Sequence, residues 1–211
     1  MKVSLKSITP NAEINIVEIA RVSSTRQDKT ENPEGLINYL IKNKHWSPFQ
    51  MVDMVMDIYT TRDIGRQILR HRSFEFQEFS QRYADPTEME FVYREARLQD
   101  QKNRQNSIEI EDQKLQRLWE AVQSYVKSEA KGAYKWAIEN GIAKEQARVV
   151  LPEGMTSTRM FMKGSLRSWI HYCDLRMKAG TQKEHREIAT LCWQEVLKEF
   201  PSLSELLMGQ E

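Results

Sequence analysis

Residues 70–83 read RHRSFEFQEFSQRY, and they limit the fold more than any other stretch of this 211-residue chain. Three basic positions close a helical pattern, and alternation from Phe74 onward opens an extended one. Successive side chains of a strand face opposite ways. One face is therefore predicted to carry Phe74, Phe76, Glu78, Ser80 and Arg82, and the other Glu75, Gln77, Phe79, Gln81 and Tyr83. The first face starts apolar and then sets an acid, a hydroxyl and a guanidinium in a row, which a strand used only for packing seldom does. Arg70, His71 and Arg72 add two or three positive charges at the helix end. Two readings follow. The cluster suits an anionic ligand, with Arg82 gripping a phosphate through two donors. Equally, cations at a helix C-terminus offset the dipole, and a charged strand can simply face water.

The flanking pattern supplies the other elements. Residues 2–8 alternate weakly, as an edge strand does. Asn11 is placed to cap a helix over 12–20, with Ile14, Val17 and Ala20 as its apolar stripe. Residues 25–32 are polar and read as a mobile loop. Asn32-Pro33 starts a second helix with Leu36, Ile37, Leu40 and Ile41 inward. Met51–Tyr59 is predicted as a strand with Val52, Met54, Met56 and Ile58 on its packed face. Thr60 or Thr61 then caps a helix over 62–71, facing Ile64 and Ile68 inward. Residues 90–93 form a further extended piece. Residues 94–111 are polar without a period and read as a flexible loop. A long helix over 112–139 follows, with Leu115, Leu118, Val122, Tyr125 and Val126 as its stripe, and Asn140-Gly141 ends it. A short helix over 144–150 leads to a strand over 156–162. Ser165 caps a helix to about 177 that buries Leu166, Trp169, Ile170 and Cys173. A last long helix packs Ile188, Leu191, Cys192 and Val196, and Pro201 begins a short terminal one. The reading is α+β: an antiparallel or mixed sheet packed by helices in one domain over 1–211. No G-x-G-x-x-G follows any strand, so a Rossmann domain is excluded.

Composition narrows the function. The charged fraction is 29% but the net charge is only +1. A broad polyanion-binding face is therefore not expected, and any basic site is local. No apolar run approaches the ~20 residues of a membrane span, and no signal peptide follows Met1. Cys173 and Cys192 lack metal-ligand spacing and read as reduced thiols of a cytoplasmic protein. The histidines (His45, His71, His171, His185) are scattered and suggest no metal site.

The 70–83 motif resembles the signature of the flavin-dependent thymidylate synthases, RHRxxSxNExSxRY. Arg70, His71, Arg72, Glu78, Ser80, Arg82 and Tyr83 match; Glu75 and Gln77 stand where the family usually has serine and asparagine. The resemblance recurs in Ala20–Ser23 (A-R-V-S), in His45 followed by Ser47-Pro48-Phe49, in Ala147–Pro152 (A-R-x-V-L-P) and in Leu175-Arg176. Residues 94–140 contribute least.

The resemblance implies the reductive methylation of dUMP to dTMP. Methylenetetrahydrofolate would give the carbon, FAD carry the hydride and NADPH reduce the flavin. It assigns Gln67, Arg70, Glu78, Phe79, Ser80, Gln81, Arg82, Arg148 and Arg176 to dUMP, with Arg82 and Arg148 on the phosphate. Ser23, Ser47, Arg70, His71, Arg72, Glu78, Ser165, Arg167 and His171 would meet the FAD. His45 would border the folate, and Arg176 would be catalytic, stabilising negative charge on the uracil. A homotetramer with flavin at subunit contacts is implied. Two readings of other classes stand beside this one: a catalytically silent nucleotide sensor of the same fold, and a nucleic-acid-binding module using Arg70, Arg72, Arg82 and the phenylalanines.

Overall fold

Alternating burial in two long strands sets the architecture. A computed structural model describes residues 1–25, 33–204 and 206–207. The elements run β1 (Lys2–Ile8), α1 (Ala12–Ala20), α2 (Pro33–Lys42), β2 (Asp53–Thr61), α3 (Arg62–Ile68), β3 (Glu75–Glu78), β4 (Arg97–Gln99), β5 (Ser107–Glu109), α4 (Gln113–Glu139), α5 (Lys144–Ala147), β6 (Ser157–Ser165), α6 (Leu166–Arg176) and α7 (Lys183–Glu199). The main sheet has the order β1-β2-β6-β3, and β4 and β5 form a separate antiparallel pair. The fold is α+β. Val52, Met54, Met56 and Ile58 are fully buried, as are Thr158, Met160 and Met162 on β6. The two-residue period therefore held through both strands. The polar segment 25–32, with its cap Asn32, lies largely outside the described residues.

The chain forms two compact units, one of residues 1–58, 69–77 and 161–211, the other of 59–68 and 78–160. In the first, α6 packs on α7, α7 on β1 and α1 on α2. Ser165 caps α6 as expected, its hydroxyl accepting from the Ser168 amide at 3.2 Å. The stripe of α6 gains Tyr172, and the buried Trp169 indole donates to the Met54 carbonyl at 3.2 Å. Asn11 precedes α1 in a left-handed conformation (φ 50°) with no side-chain cap, and Ile16 and Val17 are the buried positions while Ile14 faces out.

In the second unit α4 starts where Asp112 accepts from the amides of Lys114 and Leu115 at 2.9 and 3.0 Å. It stops at Asn140-Gly141, where Gly141 takes φ +77°, a conformation costly for a residue with a Cβ. The predicted stripe is not the buried one. Leu118, Val122 and Tyr125 are exposed, and Ala130, Tyr134 and Ala137 pack with Phe91, Ala147, Leu151 and Met155. Periodicity located an apolar face, but only the fold says which part of it is covered. Residues 94–111 are not a plain loop: they hold the β4–β5 pair, registered Arg97 to Glu109 and Gln99 to Ser107. Its turn is made by Asp100, which accepts from the amides of Lys102 and Asn103 at 2.8 and 3.1 Å. Among the described residues no helix is long and apolar enough to cross a membrane, and no group of His, Cys, Asp or Glu is placed to hold a metal ion.

Candidate functional site

Strand β3 ends at Glu78, four residues after Phe74, and this corrects the long alternating strand read from sequence. The Phe79 amide still donates to the Arg159 carbonyl at 2.8 Å, but the chain then turns. The Tyr83 and Ala84 amides both return to the Ser80 carbonyl, and the Arg82 amide donates to Ser80 Oγ at 3.3 Å. Ser80 and Arg82 thus sit on a turn rather than in line with Phe74 and Glu78. This turn borders a cavity of about 380 Å³ in the second unit, lined by Arg62, Arg66, Gln81, Glu145, Arg148 and Glu153 among others.

Arginine chemistry dominates the cavity. Arg62 is 4% exposed and begins α3; its Nε donates to Glu153 Oε1 at 3.0 Å, and its Nη1 lies 3.6 Å from Glu78 Oε1. Arg66, one helical turn on, donates through Nε to Glu153 Oε2 at 3.4 Å and lies 3.9 Å from Glu78 Oε2. The Thr158 hydroxyl completes the Glu78 environment at 2.8 Å. Burial works against the charge on Glu153, but the hydrogen bonds and charges of Arg62 and then Arg66 outweigh it and hold its carboxyl below the usual value. Gly65 lets β6 approach α3 here: a Cβ on it would stand 3.0 Å from Met160 Cε and 3.5 Å from Glu78 Oε1.

The remaining cations differ in how they are engaged. Arg82 is more than half exposed and pairs with Glu145 at 3.4 Å. Arg148 Nε donates to the Glu145 carbonyl at 3.2 Å, and its guanidinium has no carboxylate partner among the described residues. Gln81 is 3% exposed, and its side-chain amide nitrogen has no hydrogen-bond partner among them. A buried unpaired donor costs about 1–3 kcal/mol. An acceptor-rich, anionic ligand would satisfy Gln81 and Arg148 together. Gln67 is half-buried on α3 in the same unit.

The first unit gathers a second group. Arg176, the last residue of α6, donates from Nε to His71 Nε2 at 2.9 Å. The His71 ring meets Tyr172 edge-on at 4.9 Å, and the buried Tyr172 hydroxyl is hydrogen-bonded to His185 Nε2 at 3.1 Å. Burial first, then the charges of Arg176 and Arg70, lowers the His71 pKa to about 4. Burial, then Arg176 and His71, lowers that of His185 to about 3. Both imidazoles are therefore neutral near pH 7, so the basic triplet carries two charges, not three. Arg70 and Arg72 are exposed. Ser23, Ser47, His45 and His171 are exposed and Arg167 half-buried. His171 packs against Trp46 at 5.2 Å; burial, then Arg167, lowers its pKa, with Asp174 opposing. Ser165 is the least available of the expected flavin residues, because its hydroxyl caps α6. Arg70, Arg72, Arg167, Ser23 and Ser47 all belong to the first unit and carry the type of hydrogen-bond donor that a cofactor with a diphosphate requires.

Sequence reasoning missed Arg62, Arg66, Glu153, Tyr172 and His185. The four-residue spacing of Arg62, Arg66 and Arg70 was a readable signal of one helix face. Glu153 left none. Cys173 and Cys192 are fully buried, and burial pushes both thiols up, so neither presents a thiolate.

Comparison with known proteins identifies relatives of this chain. The family described as "Thymidylate synthase complementing protein" matches residues 4–202. A flavin-dependent thymidylate synthase of Synechocystis sp. is 49% identical over 194 residues, covering 91% of this chain and 87% of its own. A probable flavin-dependent thymidylate synthase of Paramecium bursaria Chlorella virus 1 is 44% identical over 197 residues, covering 93% and 90%. Among solved structures, the UMP/dUMP methylase PolB from Streptomyces cacaoi, bound with 5-Br dUMP, superposes with a TM-score of 0.82 at 25% identity, covering 97% of this chain and 93% of that one. The chain belongs to the flavin-dependent thymidylate synthase family of methyltransferase enzymes.

Proposed function

We propose that this protein methylates dUMP to dTMP, taking the carbon from methylenetetrahydrofolate and the reducing equivalents from NADPH by way of FAD. The observation that carries the reading is the arginine-lined cavity, which Gln81 and Arg148 line and beside which the motif residue Glu78 meets the lining residues Arg62 and Arg66. Arg148 and the Gln81 amide bind the phosphate, with Arg82 released from Glu145 to join them. Glu78, beside Arg62 and Arg66, accepts from the nucleoside, and Gln67, Arg70, Phe79 and Ser80 complete the nucleotide contacts. Arg70, His71, Arg72, Ser23, Ser47, Arg167 and His171 hold the FAD, which supplies hydride chemistry when bound. Ser165 serves it only by starting α6. His45 lies on the folate side. Arg176 stabilises negative charge on the uracil as its C5 becomes nucleophilic.

A homotetramer belongs to this reading, and the exposed apolar residues Leu118 (55%), Val122 and Tyr125 (68%) of α4 support contact between copies. Light scattering of the purified protein measures it. A cytoplasmic setting fits the two free cysteines. The silent-sensor alternative gains nothing from the two departures from the motif. Glu75 is exposed and pairs with Lys163 at 3.4 Å, and Gln77 is exposed on the same short strand. The test is NADPH oxidation coupled to dTMP formation in the presence of FAD, dUMP and methylenetetrahydrofolate. Binding of dUMP without any dTMP would favour the silent sensor instead.

A further inference from the structure

Arg62 is a buried guanidinium that touches two carboxylates, and only one of them, Glu78, belongs to the motif. The other, Glu153, lies 91 residues away in sequence, yet its backbone and Arg62's are joined through the start of α3. The Arg62 amide donates to the Thr156 carbonyl at 3.0 Å, and the Asp63 amide to the Glu153 carbonyl at 3.3 Å. Arg94 clamps the same helix start, donating to both Asp63 oxygens at 3.0 and 3.1 Å and to Thr61 Oγ1 at 2.6 Å. Arg62 therefore leaves a fixed backbone toward a fixed acceptor. Each carboxylate takes one oxygen toward Arg62 and the other toward Arg66. Two cations and two anions close a ring, so the position of Glu78 depends on what Glu153 does with the arginines.

We propose that Glu153, acting through the cavity-lining Arg62 and Arg66, is a positioning residue for Glu78 beside the nucleotide cavity. The inference rests on the reading that this cavity binds dUMP. Without the Glu153 charge, Arg66 loses its nearer partner and turns to Glu78, competing for the oxygen that the nucleotide needs. The lowered pKa of Glu153 is consistent with a carboxylate kept ionised for this purpose. Its side chain is about half exposed, so as a purely structural ion pair it would add little to stability.

A double-mutant cycle tests this, reading dUMP affinity of the holoprotein by calorimetry in wild type, Glu153→Gln, Glu78→Gln and the double variant, with thermal melting in parallel. Glu153→Gln should weaken dUMP roughly tenfold in the wild-type background, with a small change in melting temperature. In the Glu78→Gln background the same change should cost less than twofold, because its target is already gone. Glu153→Asp, which restores the charge, should recover part of the affinity. A tenfold loss in both backgrounds, or none in the first, overturns the positioning role while leaving the nucleotide site standing. A wild-type protein that binds no dUMP sinks the site itself, and the positioning role with it.

Discussion

Arg176 Nε donates to His71 Nε2 across 2.9 Å. A guanidinium has no acceptor and keeps its protons, so the His71 nitrogen must carry the lone pair. The contact fixes the imidazole in its neutral form with the proton on Nδ1, and it fixes the arginine head at the end of α6. Behind it, the edge-on Tyr172 ring and the Tyr172–His185 hydrogen bond keep His71 from rotating away.

That arrangement predicts an acid-side stability loss. His71 and His185 have folded pKa values of about 4 and about 3, against an ordinary value of 6.5. Between these values the unfolded chain binds more protons than the folded one, so stability is complete above about pH 6.5 and falls as pH drops below it. His185→Gln removes one of the two groups. Its melting temperature should fall less steeply from pH 6.5 to pH 4.5 than that of wild type, whatever its value at pH 7. Parallel slopes over that interval would show that His185 does not titrate in this way.

Much of the fold was readable because its strands alternate and its helices carry local caps. Val52 to Ile58, Thr158 to Met162, Ser165 and Gly141 each encode their structure within a few residues. The failures are where the deciding contact is distant. Alternation in Phe74–Tyr83 continues past Glu78, but the backbone turns at Ser80 to close on itself. The apolar stripe of α4 is real, yet its N-terminal half is not what packs under Phe91 and Leu151. The candidate site divides in the same way. Glu78, Arg82 and Arg148 stand in recognisable motifs, whereas Arg62 and Glu153 become a pair only where the start of α3 meets the turn before β6.

The two phosphate candidates should not be equal. Arg148 has no carboxylate to give up, while Arg82 must leave Glu145. Arg148→Ala should weaken dUMP by about 1.5–3 kcal/mol, the usual worth of a charged hydrogen bond, and deoxyuridine much less. Arg82→Ala should show the same selectivity with a smaller loss. Equal losses of dUMP and deoxyuridine for Arg148→Ala would place it elsewhere than on the phosphate.

Gly164 is a packing constraint on the first unit. A Cβ there would stand 2.4 Å from Phe74 Cδ1 and 2.5 Å from Cε1, and Phe74 is itself held edge-on by Trp169 at 4.8 Å. The ring has nowhere to withdraw, so Gly164→Ala should destabilise by about 1–3 kcal/mol in urea denaturation. Adding Phe74→Leu should recover part of this, because the smaller side chain makes room. A double variant that shows the plain sum of two losses would mean that the ring is not the obstacle.

Arg176 has a structural role available to it, as a cation at the C-terminus of α6, worth only about 0.3–1 kcal/mol. Its bond to His71 points to more, since a helix-end cation needs no neutral imidazole to hold it. With Nε occupied by His71, the terminal nitrogens remain as a planar pair of donors whose direction is set in advance. Pre-set donors stabilise charge that develops during reaction, so their loss should fall on the chemical step. Lysine keeps the charge but has no Nε to give His71 and no second donor in a fixed plane. Arg176→Lys should therefore fold, retain flavin and bind dUMP somewhat less well. Its rate of dTMP formation should drop roughly 10²-fold or more, as removing one charge-stabilising donor typically does. Reduction of the bound flavin by NADPH should suffer far less, because that half-reaction puts no charge on the uracil. Rapid-mixing measurements of the two half-reactions separate these effects. If both slow by the same factor, Arg176 holds the flavin site together; if neither slows, it serves α6 alone.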